Sequence, residues 1–141
     1  MSKTNLSTLY PLILGVLATA VYDSLGVIVS ENWEFDYSLL KWGSYLIWVL
    51  VGGFTFYRTQ SWFKPPLFGA AVGFFDSTVG WLISIKMHAN VAISDFEMTW
   101  EILFYTITYL TFKSAFYALL GAVLTWLVIF KADKKYLQRI D

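Results

Sequence analysis

Four apolar stretches of membrane-crossing length, separated by short polar connections, constrain this chain more than any other feature of its sequence. They run Tyr10–Ser30, Tyr37–Tyr57, Pro66–Lys86 and Phe104–Phe130. The hydrocarbon core of a bilayer, about 30 Å thick, is crossed by roughly 20 helical residues. In lipid only a helix or a closed barrel satisfies its own backbone hydrogen bonds. A barrel would show alternating polarity in segments of about ten residues, and no such alternation is present. The expected fold class is therefore an all-α integral membrane protein with four transmembrane helices, a single transmembrane domain over residues 1–141.

Composition closes the alternatives. Hydrophobic residues make up 57% of the chain and charged residues 14%, at a mean hydropathy of +0.58. Soluble domains carry about 25% charged residues, and a water-soluble fold of this size could not hide so much apolar surface. Disorder is excluded on the same grounds. Lys and Arg number ten against ten Asp and Glu, so no basic excess points to nucleic acid. The expected surroundings are membrane lipids, with a second copy or another membrane protein as partner. The chain has no Cys and one histidine, His88, which removes disulfides, thiol catalysis, zinc–thiolate sites and any multi-His metal site within one chain. No glycine-rich phosphate loop and no ligand pair for haem or quinone is present, so no cofactor is expected.

Charge at the connections sets the expected direction of the spans. Lys3, then Arg58 and Lys64, then Lys131, Lys134, Lys135 and Arg139 mark the N-terminus, the second connection and the C-terminal tail, residues 131–141. The first connection carries Glu31, Glu34 and Asp36, and the third Asp95, Glu97 and Glu101. The positive-inside rule then puts both termini in the cytoplasm, and the compact chain suits a bacterial inner membrane. Trp62 and Phe63 at one boundary, and Trp33 and Trp100 at the other, fit interfacial anchors. Ala18-Thr19-Ala20 has the form of a signal-peptidase site, but cleavage there would leave three spans and cut a segment that recurs later.

That recurrence predicts a duplication. The first span holds Pro11-Leu12, Gly15, Tyr22-Asp23-Ser24 and Gly26; the third holds Pro66-Leu67, Gly69, Phe75-Asp76-Ser77 and Gly80. The second carries Tyr37, Lys41 and Tyr45, and the fourth Tyr109, Lys113 and Tyr117 at the same spacing. Two parallel two-helix repeats follow, about 1–58 and 64–131, joined through Thr59–Lys64 and related by an axis along the membrane normal.

The intramembrane charges are the candidate site: Asp23, Ser24, Asp76 and Ser77, with Lys41, Lys113, Tyr45 and Tyr117. Positions three or four apart share a helix face, so Asp23 lies on a stripe with Gly15, Thr19, Gly26 and Ser30, and Asp76 on one with Gly69, Gly73, Gly80 and Ser84. Such stripes either let helices approach closely or make room for a solute. Both aspartates fall roughly 10–15 Å below the acidic boundary at the helical rise, where an unpaired lipid-facing charge costs about 2.5–3.5 kcal/mol. Lys41 and Lys113 lie nearer that boundary and lean outward, which argues against direct pairing with the aspartates and favours snorkelling to headgroups over a substrate role. Tyr37 and Tyr109 suit the aromatic belt, and His88 an outer loop. The basic tail serves topology or touches anionic lipid.

Three functions remain open on these residues. The first is a transporter or channel-like protein with the Asp-Ser pairs as its polar site, within a homo-oligomer because four helices enclose little space. The second is a non-catalytic accessory or assembly subunit, with the same charges as register pins. The third is an intramembrane aspartyl hydrolase in which Asp23 and Asp76 share a proton and activate water.

Overall fold

A computed structural model of the chain describes residues 3–34, 36–87 and 99–137. His88, Asp95, Glu97, Arg139 and Asp141 lie outside them. The elements are α1 (Lys3–Asn32), a 3-10 turn (Tyr37–Leu40), α2 (Lys41–Thr59), α3 (Lys64–Phe75), a π-helical turn (Asp76–Gly80), α4 (Trp81–Lys86) and α5 (Trp100–Leu137). Among the described residues there is no strand. Four segments are long and apolar enough to cross a membrane: Thr8–Asn32, Tyr37–Thr59, Lys64–Ile83 and Trp100–Ile129. The fourth begins at Trp100 rather than Phe104. Large apolar side chains point away from the bundle along every span, Leu17, Leu46, Leu67 and Phe112 among them.

Local chemistry explains where the elements start and stop. The Asp36 carboxylate accepts the Ser38 backbone N–H at 2.8 Å and its hydroxyl at 2.9 Å, so Tyr37 opens a 3-10 turn instead of the second helix itself. Gln60 adopts a left-handed conformation at φ 51° and donates its N–H to the Phe56 carbonyl at 2.8 Å, closing α2. Pro65 and Pro66 lie in the first turn of α3, where a missing N–H deprives the helix of nothing.

Small residues set the packing. A Cβ on Gly52 would fall on the Ala118 backbone, and one on Gly121 on the Val49 carbonyl. A Cβ on Gly69 would stand 2.7 Å from the Ser114 carbonyl, and one on Gly73 3.0 Å from the Leu110 carbonyl. The glycines of α2 and α3 thus bring both helices to backbone contact with α5. Helices in lipid associate through such close packing, because burial from water contributes nothing between them. Trp48, Val51, Phe68 and Val72 fill the centre. α1 lies against α2 and α3, and among the described residues it makes no contact with α5.

α2 and α5 run parallel. Tyr45 stacks on Tyr117 with ring centroids 4.9 Å apart. One turn further, the Val49 carbonyl meets Gly121, and in the next turn Gly53 faces the Thr125 hydroxyl. Each of these pairs is separated by 72 positions, as are Lys41 and Lys113.

Candidate functional site

A cavity of about 200 Å³ opens at the end of the bundle that carries the acidic first connection. Exposed Ser38 and Lys41 frame its mouth, and Trp48, 1% exposed, lies at its floor. α1 contributes Tyr22 and Asp23, α2 contributes Lys41 and Tyr45, and the π-helical turn contributes Asp76. The Tyr22 hydroxyl donates to the Leu40 carbonyl at 2.6 Å, which holds the ring across Gly43.

Asp23 and Asp76 meet beside Gly80. A Cβ there would collide with Asp23 Oδ2 and stand 3.1 Å from Asp76 Oδ1, so only glycine lets the two carboxyls share this space. Asp23 is 3% exposed. Its Oδ1 accepts from the Tyr37 hydroxyl at 3.3 Å. Its Oδ2 is buried, with no N–H or hydroxyl donor, and faces the Asp76 carboxyl. Two ionised carboxylates offer four acceptor oxygens and no donor. A hydrogen bond between them exists only when one carries a proton; otherwise a cation or a donating water has to bridge them.

The π-helical turn delivers Asp76 to this position. Trp81 donates its N–H back to the Asp76 carbonyl, five residues earlier, and the widened turn displaces the helix by one residue. The Phe74 carbonyl is taken up instead by the Ser77 and Thr78 hydroxyls at 3.1 and 2.6 Å. A signal for this was present in the sequence: three positions separate Asp23 from Gly26, but four separate Asp76 from Gly80. The extra residue is the one a π turn absorbs.

The anticipated site residues divide into two groups and a remainder. Asp23, Asp76, Lys41 and Tyr45 line the cavity together. Lys113 and Tyr117 lie behind Tyr45. The Lys113 ammonium donates to the Tyr45 hydroxyl at 2.6 Å and stands 4.3 and 5.1 Å from the Tyr45 and Tyr109 ring centroids. Lys113 is therefore turned toward an aromatic cluster, with a hydroxyl and two ring faces within reach. Ser24 and Ser77 face neither: Ser24 donates to the Ala20 carbonyl at 2.8 Å, and Ser77 to Phe74. In each tripeptide the aspartate lines the cavity and the serine does not. Tyr22, Tyr37 and Trp48 line the cavity without having been named as site residues, and Gly80 stands beside the carboxyl pair. Trp48 was legible, since it follows Lys41 and Tyr45 on one face of α2 at seven and three positions. Tyr37 was assigned to the aromatic belt, and the turn set up by Asp36 redirects its hydroxyl to Asp23.

No protein family matches the chain, and neither the curated proteins nor the solved structures contain one similar to it.

Proposed function

We propose that this chain is a small carrier of the multi-pass membrane class, and that its solute or ion site is the cavity ending at the Asp23–Asp76 pair. In this reading both termini and the Thr59–Lys64 link are cytoplasmic, and the acidic connections and the cavity mouth face outward. One observation carries it: the cavity reaches down from the end with the acidic first connection to the carboxyl pair, and the packed centre of the bundle lies beyond. That centre is Trp48, Val51, Phe68 and Val72. A cavity that reaches charged residues near the midplane from one end is what one state of an alternating-access carrier presents.

The contacts between matching positions support a duplicated origin for the site. Asp23 meets Asp76 and Tyr45 stacks on Tyr117. Residues related by a two-fold axis touch one another only where they lie beside that axis. In this reading the duplication brings matching residues of the two halves together at the site, as in carriers built from parallel repeats. α2 packs on α3 while α1, among the described residues, stays apart from α5, so the two halves are not equivalent in their packing.

Flux in proteoliposomes tests the proposal. Proton or cation movement should occur with the unaltered chain and be lost in both Asp23→Asn and Asp76→Asn, with helicity unchanged. Undiminished flux in the two variants overturns it. A hydrolase is the second reading, favoured by the direct contact of two carboxyls, which can hold one proton and activate a water. Cleavage of a membrane-spanning peptide added to the same vesicles, lost in either variant, would replace the carrier.

A further inference from the structure

We propose that the cavity takes a small organic ammonium ion in exchange for the proton held between Asp23 and Asp76. The inference deepens the carrier reading and rests on it for the direction of movement, though not for the binding step. Charge gives the first reason. Asp23, 3% exposed, turns an Oδ2 without a donor toward a second carboxyl, so the pair is complete only with a proton, a cation or a donating water between its members.

The walls narrow the cation. About 200 Å³ holds roughly six waters at about 30 Å³ each and falls below the ~300 Å³ at which pockets for drug-sized ligands begin. A solute of a few heavy atoms fits. Hard metal ions collect six or more oxygens, whereas no group of three His, Cys, Asp or Glu exists among the described residues to hold one. The lining is aromatic instead: Tyr22, Tyr37, Tyr45 and Trp48. Ring faces attract ammonium groups within about 6 Å of their centroids. The fold already lodges one such group just behind the cavity wall, where the Lys113 ammonium lies 4.3 Å from the Tyr45 centroid. Trp48, 1% exposed, adds an indole ring whose buried N–H has no acceptor in the fold.

The exchange balances without any other reactant. The incoming R–NH₃⁺ replaces the shared proton, both carboxylates bind it as anions, and one H⁺ leaves to solvent, so the net charge of the site is unchanged. The other titratable groups facing the pair are Tyr22 on α1, Tyr37 on the turn, Lys41 and Tyr45 on α2, and Lys113 of α5 behind Tyr45. The aspartates alone supply the proton.

The test uses the purified full chain in detergent, with methylammonium and ethanolamine chloride as probes and sodium chloride and glycerol as controls. Tryptophan fluorescence should change saturably with either amine, with about one proton released per amine bound. The apparent Kd should rise about tenfold per pH unit on acidification, the linkage of a one-for-one exchange. That slope is read on the unaltered protein and needs no variant. Asp76→Asn, checked for native helicity, should weaken amine binding at least tenfold and abolish proton release. The inference is overturned if neither amine binds saturably, if sodium releases the proton equally, or if binding is pH-independent. Amine binding with proton release but no flux in vesicles leaves the inference standing and overturns the carrier. Flux lost in both Asp→Asn variants, with no amine binding, does the reverse.

Discussion

The two hairpins use glycine in opposite ways. Between α3 and α5, Gly69 and Gly73 face the carbonyls of Ser114 and Leu110, so the helices touch backbone to backbone. Between α1 and α2, Gly26 faces the tips of the Leu40 and Tyr37 side chains, and Gly43 faces the tip of the Tyr22 ring. The first arrangement has nothing left to yield; the second leaves space that long side chains fill or vacate. The cavity lies on that second side. All of its lining except Asp76 and Leu110 belongs to α1, the 3-10 turn and α2. A rigid hairpin that presents one carboxyl to a looser hairpin carrying the other is a division of labour suited to a site that opens and closes.

The largest expected effect tests that contrast directly. In Gly69→Ala the new methyl meets the Ser114 carbonyl and the Ala118 side chain, and relief requires α3 to leave α5. We expect a cost of about 3 kcal/mol or more, at the upper end for overpacking. In Gly26→Ala the methyl stands 2.7 Å from Leu40 Cδ1 and 3.0 Å from Tyr37 Cε2, two side-chain ends that can rotate. Its cost should stay within about 1 kcal/mol, offset in part by the better helix propensity of alanine. Unfolding with sodium dodecyl sulfate in mixed micelles measures both. Equal costs would erase the distinction between the hairpins.

Such a contrast was beyond sequence pattern. The spans were legible because twenty-residue apolar runs have one structural outcome in lipid. The buried face was legible too: Gly15, Thr19, Asp23, Gly26 and Ser30 are all buried in α1. What periodicity omits is the size of whatever faces a stripe. Gly73 and Gly43 look alike in sequence, yet one meets Ser114 and the other a tyrosine ring. Whether a stripe becomes a seam or borders a cavity is decided by the partner helix. The partner of Lys113 was not legible for a similar reason, since an outward-leaning Cβ says nothing of the Tyr45 hydroxyl on another helix 68 positions away.

The next effect concerns the place where the hairpins meet. Asp23→Asn and Asp76→Asn each supply an amide donor to the remaining carboxylate, so either single substitution repairs the donor deficit of the pair, while the double substitution adds nothing further. The two changes should therefore be non-additive, with a coupling of about 0.5–3 kcal/mol as for residues in contact. A double-mutant cycle by the same micellar unfolding measures it. Additivity would mean that Asp23 and Asp76 do not interact and would remove the link between the hairpins.

The smallest effects separate the two lysines, which occupy matching sequence positions and different environments. Tyr45→Phe keeps the stack on Tyr117 but removes the acceptor of the Lys113 ammonium. A cost of about 1 kcal/mol is expected, the usual net worth of one hydrogen bond. Lys41 is exposed at the cavity mouth, and Lys41→Gln should leave the unfolding curve where it was. Its influence is on entry: a fixed positive charge at the mouth repels an incoming cation through the local potential. Removing it should tighten methylammonium binding in low salt, and the gain should vanish by about 0.15 M salt, where the screening length falls to about 8 Å. If instead Lys41→Gln destabilises the fold as much as Tyr45→Phe, both lysines pin the structure and the looser hairpin has no free charge at its mouth.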